Sequence, residues 1–215
     1  MEREPKTTKP MYPVFLDIEG ERCIVVGGGK VAERKVEKLL ECGAAVTVVA
    51  PEATERIDAL ALQHKLLWEK REYRDGEACG YFLAIAATNI KDLNERVSAD
   101  ARAAGRPVNV VDVPTLCNFY VPSVLRRGDL QIAVSTAGAS PSIAKKVRET
   151  LEPLFPETYE KLLERLRRFR IELHDKIPEE SRRMEIYAEV AGSPEVESYL
   201  EGDFAPLEAL IKKCV

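Results

Sequence analysis

The stretch "CIVVGGGKVAERKVEKLLECG", residues 23–43, constrains the fold most, because an apolar run meets three glycines and then a helical pattern. The apolar residues Val31, Val36 and Leu39 fall on one helical face, and Gly43 stands where a glycine ends a helix. A buried strand, a glycine loop and a helix in this order are typical of the first unit of a dinucleotide-binding domain.

The rest of the first half alternates apolar strands with helices of about a dozen residues. We predict strands at 22–26, 45–50, 65–70, 81–88 and 108–111, helices at 29–42, 51–63 and 89–104, and a short strand before a turn at 19–21. This alternation predicts an α/β fold with a Rossmann-type, doubly wound parallel sheet, covering residues 1–113.

The pattern changes after residue 113. We predict a strand at 130–135 and a helix that begins at Ser140 and Pro141, since serine caps helices and proline favours their first position. Beyond Pro156 the chain reads as helical almost to its end, with interruptions near Pro178, Gly192 and Gly202. We therefore expect a small α+β segment at 114–150 and a helical C-terminal domain at 151–215.

The glycine loop, Gly27-Gly28-Gly29-Lys30-Val31-Ala32, fits the dinucleotide fingerprint in its GxGxxA form. Gly27 permits a tight turn, Gly29 lets the backbone approach a pyrophosphate, and Ala32 lets helix and strand pack closely. The helix that follows offers its N-terminus to the phosphates. The loop predicts a bound dinucleotide, with a structural glycine turn as the alternative.

Other residues at the same sheet edge are candidate cofactor contacts. Ala50 stands where the usual acidic residue of the second strand belongs, and Glu52 is either a ribose ligand or a first-turn helix acid. No arginine occupies that turn to hold a 2′-phosphate, which favours NAD over NADP. Thr88 and Asn89 follow the fourth strand and are candidate contacts, although Asn89 is equally suited to cap the next helix.

Asp112 is the candidate catalytic group, because ligands of open α/β sheets bind beyond the carboxyl ends of the strands. A carboxylate there, near a nicotinamide, is suited to accept a proton while hydride leaves to the cofactor. A simple turn aspartate before Pro114 is an equally good interpretation of the residues. Asn109 lies on the opposite face from Val108 and Val110, and a polar side chain within a central strand needs a partner.

A further group of candidate site residues follows the strand at 130–135. Ser135 and Thr136 leave this strand, and the helix that begins at Ser140 is a further N-terminus suited to anions. Basic residues surround this cluster and continue into the helical part: Arg126, Arg127, Lys145, Lys146, Arg148, Lys161, Arg165, Arg167, Arg168 and Arg170. These are either a solvated face or, if they converge, a site for a substrate with several carboxylates.

The amino-acid composition argues against several classes of function. A net charge of -4 gives no support to nucleic acid as a partner. Runs of apolar residues stay below the roughly 18 residues that span a bilayer, and the N-terminus lacks a signal-peptide core, so we expect a cytoplasmic protein. With two histidines and five scattered cysteines, we expect no metal site, no zinc hydrolase and no Ser-His-Asp enzyme.

Three runs together resemble the precorrin-2 dehydrogenase family, the dehydrogenase/ferrochelatase module of siroheme synthases. They are "YPVFLDIEGERCIVVGGGKVAERKVEKLLECGAAVTVVAP", "FLAIAATNIKDLNERV" and "VNVVDVPTLCNFYVPSVLRRGDLQIAVSTAGASPSIAKKVRETLE", within residues 11–156. The resemblance implies NAD-dependent oxidation of precorrin-2, a polycarboxylate, to sirohydrochlorin in sirohaem biosynthesis. In some members it also implies insertion of Fe(II) into sirohydrochlorin.

The resemblance also implies site residues. Asp112 is expected to serve both activities, and 28–31 with Pro51 and Glu52 to contact the cofactor. A homodimer is implied, with 114–150 at the interface. The residues that we expect on the substrate side are Asn109, Ser135, Thr136, Ser140 and Lys145.

The chain departs from the family pattern in places. Thr136 stands where related sequences often have serine, and the match is weak from residue 157 onward. No methyltransferase domain follows Val215, so we expect another protein to methylate the precursor. A module that senses NAD(H) without catalysis is the alternative function.

Overall fold

The computed structural model describes residues 10–215, which form two compact units. One unit extends to Val121 and the other is Pro122–Val215. Among residues 10–215, no helix is both long enough and apolar enough to cross a membrane.

The first unit is built on five parallel strands. They are β1 (Arg22–Val26), β2 (Ala45–Val49), β3 (Leu67–Glu69), β4 (Leu83–Ala86) and β5 (Val108–Val110). The strand order is β3-β2-β1-β4-β5, the Rossmann order, so the predicted fold class is confirmed. Val26 pairs with Val49 on one side and Ala86 on the other, which brings the carboxyl ends of three strands to one edge.

Helices cover both faces of this sheet. They are α1 (Lys30–Glu41), α2 (Glu55–Leu62) and α3 (Lys91–Ala103), with short 3-10 turns at Glu77–Gly80 and Pro114–Leu116. Cys23 and Val25 pack in the core cluster that contains α1 and α2 residues, whereas Ile24 and Val26 pack in the cluster that contains α3 residues. The continuous apolar run of β1 is explained by burial on both faces.

Two predictions depart furthest from the structure, while the ends of β3, β4 and α3 differ from it by up to two residues. The short strand expected before the turn at 19–21 is wrong, since residues 10–18 form no strand and only Ile18 among them is buried. The helix expected from Pro51 begins at Glu55 instead. Thr54 caps it by accepting a hydrogen bond from the backbone N–H of Ile57, and its own N–H donates to the Gly28 carbonyl. These bonds keep residues 51–54 out of the helix.

The second unit begins with an antiparallel hairpin and continues as helices. Its elements are β6 (Ser123–Arg127), β7 (Leu130–Val134), α4 (Pro141–Leu151), α5 (Thr158–Lys176), α6 (Glu180–Ala191), α7 (Pro194–Leu200) and α8 (Ala205–Cys214), with a 3-10 turn at Glu152–Leu154. The predicted start of α4 is confirmed, because the Ser140 hydroxyl accepts a hydrogen bond from Ile143 N–H. Sequence reasoning missed β6, a short strand in which only Leu125 is buried.

Helices α5 to α8 of the second unit share one apolar core. Phe169, Leu173, Leu207 and Ile211 are almost fully buried there. Arg165, predicted as part of a basic face, is also buried, and its guanidinium pairs with Glu208 and Glu172. This arginine therefore serves the helical packing and is not free to meet a substrate.

Candidate active site

The glycines of the loop between β1 and α1 are held between two neighbouring chain segments. Gly27 has φ +118°, and a Cβ there would overlap the Ala87 carbonyl after β4. A Cβ on Gly28 would overlap the Glu52 carbonyl after β2. Both positions therefore require glycine for reasons of space, and Gly27 also for its backbone conformation.

Gly29 has the opposite surroundings. Apart from its two chain neighbours, no residue in the described part of the chain has an atom within 4 Å of the place where its Cβ would be, and its backbone is extended at φ -79°. Gly29 precedes α1, whose first N–H groups have no partner within the helix. This open approach to a helix N-terminus fits the pyrophosphate of a dinucleotide.

The residues that follow the glycines in the fingerprint differ in burial and in their contacts. Ala32 is fully buried against the sheet, as predicted from its size. Lys30 is exposed and its ammonium pairs with Glu33 at 3.1 Å. Val31 is half-buried and lines a cavity described below.

The loop after β2 is fastened to the glycine loop. The Thr54 N–H donates to the Gly28 carbonyl at 2.9 Å, and the Trp68 indole N–H donates to the Ala50 carbonyl at 3.0 Å. Pro51 and Glu52 are exposed on this loop. Because α2 starts at Glu55, the interpretation of Glu52 as a first-turn helix acid is wrong.

The segment after β4 is held by a buried amide. The Thr88 hydroxyl donates to Asn94 Oδ1 at 2.8 Å, and Asn94 Nδ2 donates back to the Thr88 carbonyl at 2.9 Å. Asn94 is only 5% exposed and was missed by sequence reasoning, although an amide on the inner face of a helix's first turn was a usable signal. Asn89 is exposed and does not cap α3, because the residue at the N-cap position is Ile90.

A cavity of about 570 Å³ lies beyond the carboxyl edge of the sheet, which is a usual volume for a small-molecule site. It is bordered by the start of α1, the segment after β4 and the segment after β5. Its lining residues are Val31, Ala87, Thr88, Asn89, Lys91, Asn94, Glu95, Val111, Asp112, Val113, Thr115 and Leu116. The structure thus brings together Val31, Thr88, Asn89 and Asp112, which were all predicted site residues.

Asp112 lies in a turn just after β5 with φ +60°, a left-handed conformation that is uncommon outside glycine. The Val111 N–H donates to the Ala86 carbonyl at 2.9 Å, which fixes this turn to the end of β4. The Asp112 side chain is exposed, and among residues 10–215 its carboxylate receives no hydrogen bond and no ion pair. It is therefore both a turn residue and a carboxylate available to a ligand.

Asn109 has an internal partner. This buried side chain donates from Nδ2 to the Phe119 carbonyl at 3.1 Å, so the predicted need for a partner is confirmed. Nearby, the Val110 N–H donates to Cys117 Sγ at 3.2 Å, and burial raises the pKa of the Cys117 thiol. Asn109 does not line the cavity, and its role toward a substrate stays a prediction.

The predicted hydroxyl residues of the second unit bond to their own loop. The Ser135 hydroxyl accepts the Ala137 N–H, and Ala137 has φ +50°. The Thr136 hydroxyl donates to the Ser140 carbonyl at 3.0 Å and accepts the Ser140 N–H at 3.1 Å. Lys145 is exposed and pairs with Glu149 in the next turn of α4. Substrate binding by these residues stays a prediction.

Metal ligands were not expected from the sequence. Within residues 10–215, no group of three or more histidine, cysteine, aspartate or glutamate side chains is arranged to hold a metal ion.

Comparison with known proteins gives two family matches in chain order. Residues 14–123 match a family described as putative NAD(P)-binding, and residues 127–153 match one described as sirohaem biosynthesis protein central. The first match spans about half of the chain.

Two relatives are siroheme synthases. That of Nitrosomonas europaea is 44% identical over 173 residues, covering 80% of this chain and 36% of the relative. That of Pseudomonas putida strain W619 is 39% identical over 203 residues, covering 94% of this chain and 44% of the relative. The chain therefore spans less than half the length of these curated relatives.

A solved structure, that of SirC, precorrin-2 dehydrogenase, matches with a TM-score of 0.80 and 29% sequence identity. The match covers 94% of this chain and 100% of that one. The resemblance stated from the sequence is thereby confirmed, and the chain belongs to the family described as putative NAD(P)-binding.

Proposed function

We propose that the chain is an NAD-dependent dehydrogenase that oxidises precorrin-2 to sirohydrochlorin in sirohaem biosynthesis. One observation carries the proposal: the helix that follows the open glycine loop borders the same cavity as the carboxylate of Asp112, which has no partner among residues 10–215. The match over the whole length of a precorrin-2 dehydrogenase supports it. The alternative of a sensor without catalysis gives no reason for a carboxylate at this position.

The residues that would hold NAD follow from the geometry of the sheet edge. The pyrophosphate would lie over Gly29, within reach of the N–H groups of Lys30 and Val31. Pro51 and Glu52 would face the adenosine ribose, and Thr88 and Asn89 would border the nicotinamide half. When bound, NAD supplies the acceptor for a hydride.

Asp112 would act as the proton acceptor. Conversion of precorrin-2 and NAD into sirohydrochlorin and NADH transfers one hydride and releases one proton. An exposed carboxylate without an internal partner is able to take that proton and pass it to water. The left-handed turn at Asp112 presents the carboxylate at the cavity, next to the end of β4.

The test is a steady-state assay with precorrin-2 and NAD, followed by the absorbance of NADH and of sirohydrochlorin. We expect Asp112→Asn to lower kcat by about 100-fold, because a positioned general base contributes about 10²–10⁴-fold. Asparagine tolerates the left-handed backbone, so the turn is kept. Asp175→Asn, at an exposed aspartate of α5, is the matched control. A wild-type rate in Asp112→Asn would contradict the assignment of the base.

A binding experiment distinguishes the dehydrogenase from a sensor without catalysis. Trp68 is the single tryptophan and is bonded to the loop after β2, so its fluorescence reports on the cofactor site. We expect both NAD and sirohydrochlorin to quench it. Firm NAD binding without any response to the tetrapyrrole would favour the sensor.

Iron insertion into sirohydrochlorin is a second reaction suited to the same carboxylate. Insertion of Fe(II) releases two pyrrole N–H protons, and Asp112 is free to accept them in turn. Formation of sirohaem above the uncatalysed rate, with loss of the excess in Asp112→Asn, is the expected result. The absence of any excess would limit the chain to the dehydrogenase step.

A homodimer through the segment 114–150 is also part of the proposal. Its support is a set of exposed apolar side chains on β6 and α4, namely Val124, Ile143 and Val147. Large exposed apolar surfaces on a protein often mark contact surfaces. Light scattering should give a dimer for the wild type, and Ile143→Asp with Val147→Asp should give a monomer; a monomeric wild type would overturn this part.

A further inference from the structure

Lys35 differs in its surroundings from the other lysines of α1. Lys30 and Lys38 are exposed, and each pairs with a glutamate one turn away. Lys35 is half-buried, yet among residues 10–215 its ammonium forms neither a hydrogen bond nor an ion pair. Partial burial of a charge without a partner is unfavourable, so this position calls for an explanation.

The position of Lys35 connects it to the cavity. Val31, which lines the cavity, precedes Lys35 by four residues and therefore shares its face of α1. Burial lowers the pKa of Lys35, as does the neighbouring Arg34, whereas the charges of Asp112 and Cys117 act in the opposite direction. By its helical spacing, Lys35 thus lies one turn of α1 from the cavity that Asp112 borders.

Lys35 and Asp112 carry opposite charges but form no ion pair with each other. Each lacks another partner among the described residues. A ligand that carries an anionic group and, next to it, an N–H or C–H proton donor would satisfy both at once. A tetrapyrrole with carboxylate arms around its ring has this combination.

We propose that Lys35 anchors one carboxylate arm of the substrate beside Asp112. The proposal rests on the proposed function and adds to it a residue that binds the substrate. Lys35 would hold the carboxylate arm in substrate and product alike, so its contribution belongs to binding and not to the chemical step.

The test compares Lys35→Gln and Lys35→Met with the wild type, at saturating NAD. Both variants should raise the KM for precorrin-2 at least about tenfold and leave kcat within about twofold, the pattern of lost uniform binding. Lys35→Met keeps the apolar stem in its half-buried place. Lys35→Arg should restore most of the affinity, and Lys38→Gln, on the exposed face of α1, is the matched control.

A second measurement does not depend on turnover. Titration of each folded variant with sirohydrochlorin should show the same loss of affinity in Lys35→Gln, while NAD quenching of Trp68 stays unchanged. Unchanged KM and unchanged sirohydrochlorin affinity would overturn the anchor. A fall in kcat at constant KM would also overturn it, and would make Lys35 a partner of Asp112. A wild type that neither oxidises precorrin-2 nor binds sirohydrochlorin would overturn the proposed function itself.

Discussion

Gly27, Gly28 and Gly29 stand next to one another in the chain but meet different neighbours. Gly28 is packed against the Glu52 carbonyl, whereas Gly29 faces open space at the start of α1. The glycine pattern alone predicts that the loop holds a dinucleotide. It does not tell which glycine serves the fold and which serves the ligand, because that depends on residues after β2 and β4.

This difference gives a prediction at the scale of single residues. Gly28→Ala should destabilise the first unit by about 3 kcal/mol or more, because a methyl group placed against backbone forces the chain to move. Gly29→Ala should fold normally, since its backbone suits any residue, but should weaken NAD binding by about tenfold or more, which corresponds to roughly 1.4 kcal/mol.

Thermal unfolding and NAD titration of the two variants are the measurements. Gly80→Ala, at a glycine that also has open space around its Cβ position, is the control for both. A Gly29→Ala variant that binds NAD like the wild type would show that the pyrophosphate does not approach this glycine.

At the scale of elements, the connection between β4 and α3 depends on one side chain. Asn94 holds Thr88 by two hydrogen bonds, one at each of its amide atoms. This clamp orders the segment 87–89, which borders the cavity. Short-range patterns predict the strand and the helix, but the clamp joins a loop residue to the buried face of the following helix.

Asn94→Ala should lower the free energy of unfolding by about 1–3 kcal/mol, since the Thr88 hydroxyl and carbonyl lose a partner. NAD affinity should fall at the same time, because the loop that we propose to border the nicotinamide half loses its order. Thr88→Ser keeps the hydroxyl and should retain most of both properties, while Thr88→Val should resemble Asn94→Ala. Equal NAD affinity in Asn94→Ala and the wild type would separate the clamp from the cofactor site.

At the scale of the whole molecule, alternation of apolar strands and helices predicted the Rossmann-type sheet, because burial on both faces leaves continuous apolar runs in β1, β2 and β4. Asp112 was predicted from its place after a strand. Asn94 was not, because its role depends on its bonds to the loop residue Thr88. β6 was missed because a short hairpin strand with one buried side chain carries little apolar signal.

Burial of the sheet also predicts how the cysteines react. Cys23 on β1 is fully buried, and burial raises the pKa of its thiol to about 11. Because the thiolate is the reactive form, Cys23 should be alkylated far more slowly than the exposed Cys42 at neutral pH. Mass spectrometry of peptides after a timed iodoacetamide pulse measures both rates, and denaturant should make them equal. Fast labelling of native Cys23 would contradict a closed sheet core.

The contact between Gly28 and the Glu52 carbonyl also limits how cofactor preference can be redesigned. Insertions or deletions between Ala50 and Thr54 would move a backbone that already touches the glycine loop and is bonded to it at Thr54. A change of preference toward NADP must therefore use side-chain replacements on an unaltered backbone. The exposed positions Pro51 and Glu52 are the places where an arginine is tolerated without lengthening the loop.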